Sequence, residues 1–170
     1  MFGPMPKSGY TRIVEEEIAN WYNHGFEFGD LGLINQNEGG PCSILGGINA
    51  YALCELLFEK SAYEVWMDDT IGRIYPRRDT VIGLATKGKD AMDNALAGAI
   101  SFPIWQAAKT LSGSGNASIV TFNVSGDCLA TTFETYDGLR TECFRLLHDF
   151  KGSTGVMMLL YSMLISRGTA

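Results

Sequence analysis

The residues best suited to chemistry lie in one short segment, residues 36–42. It reads Gln-Asn-Glu-Gly-Gly-Pro-Cys, and the paired glycines and the proline favour a tight turn with unusual backbone angles. An apolar stretch with helical spacing follows directly, so the sequence predicts Cys42 at or next to a helix N-terminus. The amide groups and the positive dipole end of a helix stabilise a thiolate there, and the thiolate is the reactive form of cysteine. Cys42 is therefore a candidate nucleophile.

Gln36 is the second candidate, as a hydrogen-bond donor to a developing oxyanion. It precedes Cys42 by six residues, on the other side of the predicted turn, so its amide could fold back to face the cysteine. A side-chain N–H of Gln36 and the backbone N–H of Cys42 would then form a two-donor oxyanion hole. Papain-like proteases arrange a glutamine and a helix-capping cysteine at the same separation. The alternative is structural, with Cys42 packed as a small residue at a helix start and Gln36 solvated in a loop.

The wider sequence around this segment resembles the active-site entry of the MINDY family of deubiquitinases, in particular the branch whose cysteine follows Gln-Asn-x-Gly-Gly-Pro. The resemblance is close over residues 26–58, which include an aromatic pair, Phe26 and Phe28, before the motif. It is fair over residues 155–168, which are similar to a later family helix that ends in Ser-Arg, and thin in between.

This resemblance implies a papain-like cysteine hydrolase that cleaves isopeptide bonds in polyubiquitin, with a family preference for the chain linkage that targets proteins to the proteasome. Carried over by position, Cys42 is the nucleophile and Gln36 the oxyanion donor. Asn37, Gly39, Gly40 and Pro41 shape the loop between them. The partner implied is ubiquitin or a polyubiquitin chain.

A cysteine hydrolase also needs a general base. In the family this base is a histidine on a strand of the form His-Phe-Ser, well after the Ser-Arg helix. The present chain stops at Ala170, just past the matching helix, and contains only His24 and His148. An ordinary surface or helix-end role is the favoured interpretation for both. His148, beside Asp149, is the better substitute base.

Residues 1–170 are accordingly interpreted as a single, partial catalytic domain, and three hypotheses stay open. The first is an active ubiquitin hydrolase whose histidine comes from an unusual position. The second is a catalytically inactive, ubiquitin-binding remnant. The third is a truncated fragment that lacks the catalytic histidine and exposes the apolar residues 156–165.

The elements that must position these residues follow from periodicity. Helices are predicted over residues 11–23, 43–58, 90–111, 137–150 and 156–166, with the third bent or ended at Pro103. The first helix is amphipathic, with Glu15, Glu16 and Glu17 on a solvated side. Strands are predicted over residues 26–28, 71–75 and 118–124, an irregular stretch over 59–79 and a flexible loop over 112–116. The fold class is α+β, helix-rich with few strands, as an incomplete papain-like cysteine peptidase fold.

The composition argues against some classes of binding partner. The formal net charge is −6 and the basic residues are scattered, which disfavours binding to nucleic acid or to an anionic membrane surface. No apolar run approaches the roughly 20 residues that a membrane-spanning helix needs.

The cysteine pattern argues against a bound metal. Four cysteines without a CxxC pair or zinc-like spacing predict no metal and no cofactor, and thiols in an intracellular, cytoplasmic or nuclear setting. For Cys54, Cys128 and Cys143 a buried structural role is expected.

Overall fold

The structure, a computed structural model, describes residues 10–29, 34–35, 41–58, 88–111 and 115–168. Helix α1 spans Tyr10–Tyr22, α2 spans Cys42–Phe58 and α3 spans Lys89–Leu111. Strands β1 (Ala117–Phe122) and β2 (Cys128–Phe133) follow, and then helices α4 (Tyr136–Arg145), α5 (Leu147–Lys151) and α6 (Gly155–Arg167). The described part of the chain is therefore helix-rich α+β, as predicted.

Helix α3 is the centre of the core. Residues 95–105 are all buried, which is the pattern of a helix surrounded by other elements. Helices α2, α4 and α6 and strand β1 pack against it. The helix also continues through Pro103, so the predicted interruption there was wrong. A proline inside a helix costs about 3 kcal/mol, and burying large side chains such as Phe102 and Ile104 recovers about 1.5–3 kcal/mol each.

Strands β1 and β2 form an antiparallel hairpin in which Ala117 pairs with Phe133 and Phe122 with Cys128. The connecting turn is closed by Asp127, whose N–H donates to Asn123 Oδ1 at 2.8 Å. The prediction of β1 is confirmed within two residues, whereas β2 was missed. Almost all of β2 is exposed on both faces, so its sequence lacks the alternation of apolar and polar residues that identifies a half-buried strand.

The second edge of β1 is covered by helix α6 rather than by another strand. The N–H of Val120 donates to Ser162 Oγ, and the N–H of Ser118 donates to Ser166 Oγ, both at 2.8 Å. Two serines one helical turn apart thus satisfy backbone groups that a neighbouring strand would otherwise bind. Strand β1 is held between β2 and α6.

Three further predictions are modified. The single helix predicted over residues 137–150 is two helices, because the backbone at Leu146 leaves helical geometry (φ −89°, ψ 13°) between α4 and α5. The strand predicted over residues 26–28 is a single antiparallel bridge between Phe28 and Ile34. The irregular stretch at 59–79, the strand at 71–75 and loop residues 112–114 lie outside the described residues.

Helix α1 is confirmed as an element, and Glu15, Glu16 and Glu17 are exposed as predicted. Its apolar side is less covered than amphipathicity suggests, since Ile18 is 50% exposed and Trp21 and Tyr22 are also partly open to solvent. Periodicity identifies an apolar face, but only the neighbouring elements determine how much of it is buried.

Candidate active site

Cys42 is the first residue of helix α2, so its predicted position at a helix N-terminus is confirmed. The preceding residue, Pro41, is buried, and its carbonyl oxygen accepts from the N–H groups of Ile44 and Leu45 at 2.9 and 3.0 Å. The side chain of Cys42 is exposed. A thiol in this position is accessible to a substrate and lies beside the backbone amides of the first helical turn. Its role as nucleophile stays a prediction.

The other residues of the predicted site lie outside the described residues. These are the oxyanion candidate Gln36 and the loop residues Asn37, Gly39 and Gly40. The role assigned to Gln36 therefore remains a prediction. Its chain neighbours on the N-terminal side, Ile34 and Asn35, are described.

The segment before this loop is held against α2 by a side chain that local sequence patterns do not single out. Asn49 Oδ1 accepts from the backbone N–H of Ile34 at 2.7 Å. Ile34 is buried, and the neighbouring Asn35 N–H donates to Glu27 O at 2.8 Å. The sequence did contain a signal for Asn49: it is a polar residue two helical turns after Cys42 and therefore lies on the same side of the helix.

The same segment is anchored at its other end to the core. Phe26 is fully buried, and its N–H donates to Phe150 O at 3.0 Å. The N–H of Val156 donates to His24 O, also at 3.0 Å. Gly25 lies between these two bonds, against the backbone of Lys151 and Gly152, where a larger residue would not fit.

The far end of α2 is held by a charged contact. The buried carboxylate of Glu55 pairs with Arg140 of α4 at 2.8 Å, and Gly98 of α3 leaves room for it. Nearby, Ser101 Oγ and the hydroxyl of Tyr136 are 3.1 Å apart, and burial raises the pKa of Tyr136 to about 12. The Glu55 contact holds α2 against α4, and the Ser101–Tyr136 contact joins α3 to α4, so the C-terminal part of the helix that carries Cys42 is fixed.

The two histidines have distinct environments. His24 is buried, and its Nδ1 lies 2.5 Å from the carbonyl oxygen of Asn20, in the last turn of α1. This is the helix-end role expected for it. His148, the better substitute base by sequence, is fully exposed on α5 and lies 3.8 Å from Asp149 Oδ1. Its exposure leaves it available but does not by itself place it at a site.

All four cysteines are described, and none forms a disulfide. Cys143 is buried and Cys54 is half-buried, and in both cases burial raises the pKa of the thiol. These two fit the structural role that was expected. Cys128 does not, because it lies at the start of the exposed strand β2 and is itself exposed.

A groove of about 570 Å³ runs between α2, α3 and α6. Its lining is mostly apolar, including Ile44, Ile48, Tyr51, Leu159, Leu160 and Met163, with Gln106 and Arg167 among the polar members. At 100° per residue, its α2 residues lie roughly 100–240° around the helix from Cys42, whereas Asn49 lies within about 20° of it. The groove is therefore on a different flank of α2 from the thiol.

No helix among the described residues is long and apolar enough to cross a membrane. Among the same residues, no group of three or more His, Cys, Asp or Glu side chains is arranged to hold a metal ion.

Comparison with known proteins identifies a family. A family model described as "Deubiquitinating enzyme MINDY-3/4, conserved domain" matches residues 12–170. No curated protein and no solved structure gave a significant match. The matched range includes the predicted site from Gln36 to Cys42 and every helix and strand of the described fold except the first two residues of α1.

Proposed function

The chain belongs to the MINDY-3/4 family of deubiquitinating enzymes, and from that premise we propose that it is a cysteine-type ubiquitinyl hydrolase with Cys42 as nucleophile. The observation that carries the proposal is the exposed thiol of Cys42 on the first residue of α2. At this position the thiol is open to a substrate and lies beside the backbone N–H groups of the first helical turn. The papain-like architecture inferred from the sequence uses a helix start in the same way.

The chemistry proceeds in two steps. The thiol of Cys42 gives its proton to the general base, and its sulfur attacks the carbonyl carbon of an isopeptide bond as the C=O π bond opens. The oxyanion formed accepts hydrogen bonds from the Cys42 N–H and from Gln36. The C–N bond then breaks, the lysine amine leaves with a proton from a general acid, and a thioester remains on the enzyme. Water hydrolyses the thioester to release the ubiquitin carboxylate and restore the thiol.

The substrate class proposed is polyubiquitin, with the linkage preference that the family resemblance implies. The proposed setting is intracellular, cytoplasmic or nuclear, where cysteine thiols stay reduced. The acid–base histidine is the remaining requirement. Of the two histidines in the sequence, His148 has the exposed ring and the neighbouring carboxylate.

The proposal is tested with ubiquitin that carries a C-terminal electrophile. Incubated with the purified chain, this probe should give a ubiquitin-sized mass gain, and Cys42→Ala should abolish it. Cys128→Ala is the matched control, because Cys128 is also an exposed thiol but lies on β2. A gain that survives Cys42→Ala, or no gain from a folded wild-type chain, would reject the hydrolase assignment.

A second candidate is a catalytically inactive chain that binds ubiquitin. The observation that favours it is apolar surface at the end of α6, where Leu164 is 63% exposed and Ile165 is also open. This candidate predicts binding of unmodified ubiquitin without covalent capture of the electrophilic probe. Isothermal titration beside the mass measurement separates the two functions.

A further inference from the structure

The outer edge of strand β2 pairs with no other strand of the described fold, where the sheet consists of β1 and β2. The hydrogen bonds of β1 show which backbone groups lie on that edge. The N–H groups of Ser118 and Val120 donate to α6, so both residues point their backbone groups away from β2. Ser118 lies opposite Thr132, and Val120 lies opposite Ala130. These are therefore non-hydrogen-bonded pairs of the antiparallel ladder.

Every second residue of β2 accordingly directs its backbone N–H and C=O groups outward. These residues are Cys128, Ala130 and Thr132, and all three are exposed. Within the described part of the chain, no group forms a hydrogen bond with their outward N–H or C=O groups. The residues between them, Leu129 and Thr131, face β1 instead. A row of exposed donors and acceptors is a template to which another extended chain adds as a strand.

Strand β2 also lacks the features that usually keep an exposed edge from pairing. Charged side chains, proline and bulges are the common ones. The sequence of β2, Cys-Leu-Ala-Thr-Thr-Phe, contains no charged residue and no proline, and it pairs with β1 without a bulge. The carboxylate of Asp127, just before the strand, is held in the turn by the Asn123 side chain at 2.9 Å. The edge is therefore open and uncharged.

We propose that this edge pairs with the same edge of a second copy of the chain, in an antiparallel dimer with Ala130 on the two-fold axis. Symmetry places Ala130 opposite its own copy and Cys128 opposite Thr132 of the second copy. Every outward residue of β2 then meets an outward residue, and each such pair forms two hydrogen bonds. A two-fold interface requires a self-complementary patch of this kind.

Charge and sheet size favour a second copy as the occupant of the edge. No like charges face each other across the axis, because β2 carries none. Pairing also converts a sheet of two strands, which is marginal by itself, into one of four strands. Dimerisation through β2 is independent of the proposed hydrolase function, since β2 contains none of the residues assigned to the Cys42 site.

Sedimentation equilibrium of the full chain, from low micromolar to several hundred micromolar concentration, tests the dimer. We expect the average mass to rise with concentration towards twice that of the chain. Ala130→Pro removes the N–H on the axis but no hydrogen bond to β1, and proline is tolerated on a strand edge that faces solvent. It should weaken dimerisation at least about 10-fold. Val124→Lys is the matched control and should leave dimerisation unchanged, because Val124 is fully exposed in the hairpin turn, away from the axis.

Hydrogen exchange identifies the surface at which the copies meet. The amides of Cys128, Ala130 and Thr132 should gain protection as the concentration rises, because they bind the second copy. The amides of Leu129 and Thr131 should be protected at every concentration, because they already bind β1. An interface elsewhere on the chain would not produce this alternation.

Disulfide cross-linking provides a measurement that does not depend on whether Ala130→Pro folds. In a hydrogen-bonded antiparallel pair the Cα atoms are about 5.5 Å apart, which is within the range of a disulfide. With Cys42 and Cys128 replaced by alanine, Ala130→Cys should therefore form a covalent dimer on mild oxidation. Val124→Cys in the same background should not, because position 124 lies six residues from the axis.

A chain that stays monomeric at every concentration would overturn the dimer, including the case in which a different protein occupies the edge. A dimer that Ala130→Pro and wild type form equally well would also overturn it, because the interface would then lie elsewhere. Cross-linking of Val124→Cys as fast as Ala130→Cys would lead to the same conclusion.

Discussion

The four cysteine thiols of this chain differ clearly in their exposure to solvent. Cys42 and Cys128 are exposed, Cys54 is half-buried, and Cys143 is fully buried in α4. Burial raises the pKa of Cys143 and Cys54 because the charged thiolate loses its hydration in an apolar surrounding. The reactivity of a thiol depends on its accessibility and on the fraction present as thiolate. Cys42 is therefore the proposed nucleophile, whereas Cys143 is expected to be inert in the folded chain.

We expect this difference to appear in thiol labelling of the native chain near pH 8. Cys42 and Cys128 should react with a maleimide first, and Cys143 only at the rate of global unfolding. Peptide mass spectrometry after timed quenching gives the rate at each site. Labelling of Cys143 as fast as Cys128 in the native chain would contradict its place in the core, and labelling in denaturant is the control that all four thiols are intact.

Among the elements, α2 carries the site and is held at three places. Near its middle Asn49 accepts from the backbone N–H of Ile34, along its length apolar residues face α3, and near its end Glu55 pairs with Arg140. The last contact requires Gly98, since a Cβ there would overlap the Glu55 carboxylate. A buried carboxylate that loses its partner or its space is costly, because its charge is left without hydration.

Gly98→Ala tests that close approach of α2 and α3. Alanine is the better helix former, but its methyl group must displace the Glu55 carboxylate, so we expect a net loss of about 2 kcal/mol in the free energy of unfolding. Gly46→Ala is the matched control, because Gly46 lies inside α2 with open space around it. There, alanine should stabilise by up to about 1 kcal/mol.

Urea unfolding followed by circular dichroism measures both variants. If Gly98→Ala is as stable as Gly46→Ala, then α2 and α3 are not in the close contact that the fold shows.

At the scale of the whole molecule, the fold is closed by contacts between distant parts of the chain. Residues 24–26 meet residues 150–156 through the Phe26–Phe150 and Val156–His24 backbone bonds. Gly25 lies directly against the carbonyl oxygens of Lys151 and Gly152. This junction anchors the segment that precedes the predicted site, so the placement of that segment depends on residues more than 100 positions away in the sequence.

Gly25→Ala should weaken the whole fold. Its methyl group would overlap two backbone carbonyl oxygens, and backbone yields less easily than a side chain, so we expect a loss of about 3 kcal/mol. The measurement is the urea midpoint, with an unchanged slope indicating that the unfolded state is the same. An unchanged midpoint would show that residues 24–26 do not close against α5 and α6.

Local chemistry in the sequence was enough to place Cys42 at the start of α2 and to identify the helices beginning at Tyr10, Lys89 and Gly155 within a residue or two. These features depend on neighbours in the chain: a turn formed by two glycines and a proline, and apolar residues repeating every three or four positions. The family motif depends on the same short range, which is why the match over residues 12–170 agrees with the resemblance read from residues 26–58.

Only the tertiary structure decided which side chains hold α2 in place. Asn49 meets Ile34 across 15 residues of sequence, and Glu55 meets Arg140 across 85, so neither pair leaves a periodic signal. Tertiary packing also explains why α3 continues through Pro103 and why β2 forms although it is exposed. These long-range contacts depend on the free energy of burial summed over many partner residues. A local sequence pattern contains only one of the two residues in each contact and therefore cannot predict it.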